Sequence, residues 1–202
     1  GRTKRAGAIR HVFERWGREA DRGLDREMSA AMAGHGLRKT DDYAGLIARA
    51  SVLSAPENAD ITEAASRAAA VLSQQIGLES EEVTEQFLET GSLWIQPSKD
   101  HPTATPVAFF EGIENDFLVI VRSAKGIRIP SSWGGSGERV NALFFLAGTN
   151  INPGRSLRLA GELAQHLRDG TQAVGQAIDE VGVKSALLPE AALRQYTIFP
   201  EG

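Results

Sequence analysis

A chain of 202 residues, 42% of them hydrophobic and 24% charged, can bury a sizeable core, and its lack of cysteine excludes disulfides and cysteine-ligated metals. No apolar run approaches the roughly 18–20 residues that span a bilayer and no signal-peptide stretch follows the basic start, so the chain as given reads as soluble. The net charge of −4 is unevenly spread: residues 1–50 carry eleven Lys and Arg against seven acidic residues, and residues 51–202 carry eleven against nineteen. The acidic globular part disfavours nucleic acid as a partner, because phosphate repels it.

The first eighteen residues hold six basic side chains against Glu14 alone. They read either as a solvated helix face or as a segment just cytoplasmic of a membrane span. Ile9, Val12, Phe13, Trp16, Ala20, Leu24, Met28 and Met32 recur every three or four positions and predict an amphipathic helix over 8–33, stopped by Gly34 and Gly36. The Phe13–Trp16–Leu24–Met28 stripe is expected to be buried on its own domain or on a twin. A second helix is expected over 41–50, and Ser54 to Asn58 marks the entry to the main domain. Residues 1–50 are therefore read as a basic helical arm, and 51–202 as the folded domain.

Asp60-x-x-Glu63 resembles a capping box, and the apolar positions from Ile61 to Ile76 predict a helix that Gly77 ends. Ser80 to Thr90 is a second helix, with acidic residues in its first turn. Leu93 to Thr105 is polar and proline-bearing and is expected to be a loop. Residues 107–110, 117–121 and 140–146 are short apolar runs without alternation, so Phe117, Leu118, Ile120, Phe144 and Phe145 should lie in buried strands. Asn152-Pro153 opens a helix expected to end at Gly170. Thr171 starts another through Val181, followed by a short helix after Pro189 and an extended tail over 196–199. No internal repeat is present. The order implies an α/β fold, with helices packed around a small mixed β-sheet behind a helical N-terminal arm.

The chemistry-bearing residues are sparse. Of the four histidines, His11 and His166 fall within expected helices beside arginines and read as surface residues. None of the four has metal-site spacing. His101, next to Asp100, is either a solvated loop residue or a general base or phosphate acceptor. Gly134-Gly135-Ser136-Gly137 lacks the lysine of a P-loop and reads as a flexible turn. No nucleophile elbow is present.

The stretch Pro106-Val107-Ala108-Phe109-Phe110-Glu111-Gly112 is followed by 117–123, Lys125-Gly126-Ile127, 142–149 and Leu157-Arg158-Leu159-Ala160 with Leu163-Ala164-Gln165. Together these resemble the enzyme IIA domains of the phosphotransferase system, of the fructose, mannitol and nitrogen-regulatory class. They are most similar to versions fused behind amino-acid-permease-like transporters, and residues 11–15, 37–38 and 47–50 resemble the linker of such fusions. The resemblance implies the enzyme IIA-like sandwich. Active members carry a phosphorylatable histidine after the strand's proline, where this chain has Val107, and often a second histidine, where it has Ser156. A different register would place Glu111 at the catalytic position, and a carboxylate is not a known acceptor there.

The resemblance with this departure implies no catalytic residue, no cofactor and no metal. It implies a regulatory or assembly domain on the cytoplasmic side of the cell membrane, partnered by the parent transporter's membrane domain and by a twin in a homodimer, with a small-molecule effector as a further partner. A vestigial pocket is expected near Val107, rimmed by His101, Thr105, Ser156 and Arg158. A phosphocarrier enzyme using another histidine, and a sensor of a small anion or nucleotide, stand as alternatives.

Overall fold

The computed structural model describes residues 39–96, 101–133, 136–177 and 179–188. The helix expected over 8–33, the Gly134-Gly135 step and the helix and tail expected after Pro189 lie outside the described residues. In chain order the elements are α1 (Lys39–Arg49), β1 (Ser51–Ser54), α2 (Ile61–Ile76), α3 (Ser80–Thr90), β2 (Ser92–Gln96) and β3 (Thr103–Phe110), then β4 (Phe117–Arg128), β5 (Arg139–Thr149), α4 (Pro153–Gln176) and α5 (Glu180–Leu187).

The strands form one mixed sheet in the order β1-β4-β5-β3-β2. β1 runs parallel to β4 and β3 parallel to β5, whereas the β4–β5 and β2–β3 pairs are antiparallel. Both faces are covered, which is why the strands read as unbroken apolar runs. Val107, Leu118, Ile120, Phe144 and Leu146 pack against α1, α4 and α5. Ala108, Val119, Val121, Leu143 and Phe145 pack against α2 and α3. Leu118, Ile120, Phe144 and Phe145 are at most 2% exposed, and Phe117 is partly buried.

The helix ends follow from local chemistry. The Asp60 side chain accepts from the Glu63 amide at 3.0 Å. Gly77 ends α2 at φ 81°, a left-handed conformation that glycine adopts without a Cβ penalty. Asn152 caps α4 by accepting from the Arg155 amide at 3.2 Å, with Pro153 in the first turn.

Three sequence expectations are corrected. β2 and the start of β3 lie within the stretch expected to be a loop. Pro106 does not break the sheet, because the pairing of β3 with β5 skips Thr105 and Pro106, and so asks no N–H of the proline. β1, four residues long, carries too little pattern to be read. Gly170 does not end a helix: α4 runs 24 residues through it. An interior glycine costs only about 1 kcal/mol. Keeping Leu163, Leu167 and Val174 buried on one helix face outweighs that.

The end of the expected arm contributes to the core: Tyr43, Leu46, Ile47 and Ala50 are at most 3% exposed. The Tyr43 hydroxyl donates to the Leu187 carbonyl at 2.8 Å, and its ring stacks on His166 at 4.7 Å between centroids. His166, expected on the surface, is thereby partly buried. Lys184 Nζ donates to the Ala48 carbonyl at 2.8 Å, at the C-terminal end of α1, where a cation is favoured.

Burial first, and the charge of Glu162 second, push the Tyr43 phenol well above its ordinary value of 10.0. The folded state keeps the proton that the unfolded chain loses. This contribution to stability is fully present below pH 10.0 and is lost as pH rises beyond it. Tyr43→Phe should cost about 0.5–1.5 kcal/mol near neutrality, the worth of one hydrogen bond, and should flatten the alkaline decline. Urea melts on either side of that pH check both effects.

Candidate functional site

Val107 is paired with Leu146 of β5 and Ser92 of β2, inside the sheet, and is 1% exposed. Strand alternation puts Thr103, Thr105, Val107 and Phe109 on the face toward α4. Thr105 is 2% exposed. A carboxylate at the alternative position would be solvated, since Glu111 is exposed in the turn after β3.

Ser156 and Arg158, in the first turns of α4, are buried and committed to protein partners. Ser156 Oγ donates to Asp116 Oδ1 and accepts from the Thr149 amide at 3.1 Å. The Thr149 amide also reaches Asp116 Oδ1 at 3.3 Å. Arg155 Nε donates to Asp116 Oδ2 at 3.0 Å, and its Nη2 donates to the Glu114 carbonyl at 2.6 Å. Asp116, only 3% exposed, thus joins the β3–β4 connection to β5 and α4. Gly148 admits this approach: a Cβ there would lie 2.9 Å from Ser156 and 3.0 Å from the Phe109 ring. Gly148→Ala should therefore cost about 1–3 kcal/mol through overpacking, read as a lower urea midpoint.

Arg158 pairs with Asp42 Oδ2 of α1 at 3.1 Å and Glu162 Oε1 at 3.5 Å. Its pairing points to α1, and the five residues expected around a vestigial pocket do not gather at one opening. The reason is the alternation and packing of β3, which bury Val107 and Thr105, while Ser156 and Arg158 are held by Asp116 and Asp42.

Of the five, His101 lines an open cavity. It has a volume of about 350 Å³ and is also bordered by Ser54, Arg122, Ser123, Asn141 and Gly175. The cavity lies where β3 and β5 begin and α4 ends, and Gly175 makes room for the imidazole: a Cβ there would lie 2.5 Å from His101 Nδ1. Arg122 was not singled out by sequence reasoning. The signal was present, because an arginine closing the run Phe117–Val121 shares a strand face with Leu118 and Ile120.

The described part of the glycine-rich connection offers little to a phosphate. The Ser136 amide and hydroxyl both donate to the Glu138 carboxylate, and the Gly137 amide donates to the Ile129 carbonyl at 3.1 Å. Among the described residues no cluster of three metal-ligating side chains occurs, and no helix is long and apolar enough to cross a membrane.

The mixed sheet with helices on both faces has a phosphotransferase-system IIA-like fold, by its likeness to a solved structure. Among solved structures the chain is similar to the nitrogen regulatory protein IIA-Ntr from Neisseria meningitidis, with a TM-score of 0.55 and 14% identity, covering 71% of this chain and 97% of that one. At that identity the likeness carries the fold alone. No family model and no curated protein matches the sequence.

Proposed function

We propose that this chain is a non-catalytic, IIA-like regulatory or assembly domain of a secondary membrane transporter, amino-acid-permease-like or coupled to cations or protons. It lies on the cytoplasmic side of the membrane, pairs with a twin and biases transport. The observation that carries the reading is Val107. The resemblance assigns this position to the phosphorylatable imidazole, and here it holds a side chain without a lone pair, 1% exposed and packed with Leu118, Phe144 and Leu146. Ser156, at the second histidine position, is bonded to Asp116 and Thr149.

A phosphocarrier enzyme using another histidine is the second reading. It draws on His101, which shares its cavity with a guanidinium able to stabilise phosphate oxygens. The coding sequence upstream of Gly1 tests the transporter reading. About a dozen hydrophobic segments, each long enough to span a bilayer, are expected in frame; a stop codon immediately upstream would end that reading.

A further inference from the structure

The cavity beside His101 has an electrostatic imbalance. Among the described residues its lining includes Arg122 and His101 and no aspartate or glutamate. Of the described arginines that are not solvent-exposed, Arg155 and Arg158 each hold a carboxylate at 3.0–3.1 Å. Arg122 has none among the described residues. Its Nη1 donates to the Val174 carbonyl at 3.3 Å and the Ala177 carbonyl at 2.5 Å, at the C-terminal end of α4. Its Nε is buried without an acceptor. The helix end supplies only partial negative charge, and a half-buried cation without a full counter-charge is costly.

We propose that this cavity binds a small oxyanion, a carboxylate or phosphate group, which completes the coordination of Arg122. The guanidinium fork matches such groups in geometry, and Nη1 is the only one of its nitrogens engaged by the described protein acceptors. Ser54, Ser123 and His101 border the same space. The volume of about 350 Å³ suits a compact metabolite. The site is separate from the second histidine position: from Ser156 to Gly175, α4 extends about 28 Å. The proposal does not depend on the transporter reading. A ligand here would brace the junction of α4 with β4.

The test titrates the protein with inorganic phosphate and, separately, with succinate, at ionic strength held constant with sodium chloride. Calorimetry and the Arg122 Nε–H resonance in a ¹⁵N spectrum report binding. A saturable response to at least one anion is expected, and which one responds assigns the ligand class. Arg122→Gln should weaken it more than tenfold, and His101→Gln should weaken it less. The wild-type resonance reports on the site even if Arg122→Gln folds poorly, and Arg122→Lys, which keeps the charge but not the fork, should also bind more weakly. The proposal is overturned if neither anion gives a saturable response, if chloride reproduces it, or if folded Arg122→Gln binds as tightly as wild type.

Discussion

Phe145→Ala is expected to lower stability by about 3–5 kcal/mol, a large share of what holds a domain of this size together. Phe145 lies in the central strand, fully buried, with its ring edge-on to Phe87 of α3 at 5.4 Å and 89°. Phe87 in turn contacts Phe110 of β3 at 5.7 Å, so one ring links α3 to two strands. Truncation leaves a void that neither strand can close, because β5 is hydrogen-bonded on both sides. A urea melt measures the loss. Ile151→Ala, at a position 68% exposed, is the control and should stay within about 0.5 kcal/mol of wild type.

Asp116→Ala should be the second large effect. Its carboxylate accepts from Ser156, the Thr149 amide and Arg155, and its loss removes the only charged acceptor these three share at the start of α4, leaving the Thr149 amide with Ser156 Oγ and Arg155 with the Glu114 carbonyl. Breaking a buried pair costs about 3–5 kcal/mol, and the lower end applies because the Arg155 side chain keeps 24% exposure and can rehydrate. Asp116→Asn retains an acceptor and should lose less. Slow amide exchange at Thr149 in wild type, accelerated in Asp116→Ala, would locate the damage.

What the sequence made legible were features with local causes. Asp60 with Glu63, Gly77 and Asn152-Pro153 announce helix ends through bonds spanning three or four residues, and these ends stand where the chemistry puts them. The runs 117–121 and 140–146 were readable as buried strands, because a strand covered on both faces has no polar alternation to hide. Failures occurred where tertiary pairing overrode a local signal. Pro102 and Pro106 suggested a loop, yet the Pro102 carbonyl accepts from the Asn141 amide at 2.8 Å and Pro106 sits within β3. Gly170 suggested a stop, and packing of Leu167 and Val174 carried the helix through it.

The candidate site was less legible than the fold. Asp116 and Arg155 lie 39 residues apart, so no spacing rule joins them. Arg158 was expected on a pocket rim, but its partner Asp42 is 116 residues away. Arg122 meets the end of α4 only because α4 is long enough to reach it. Val107 was different: its identity alone raised the question of catalysis, and its burial gives that question a physical form.

The most direct measurement of the central claim is phosphate transfer. The protein, incubated with phosphoenolpyruvate and a phosphorylated histidine carrier protein of the phosphotransferase system, should gain no phosphate above the buffer level. Val107→His should not restore transfer, since Ser156 also departs from the active pattern and Val107 lies within the packed sheet. Stoichiometric, acid-labile phosphohistidine on the wild-type chain would contradict the account, and loss of that label in His101→Gln would assign the chemistry to His101.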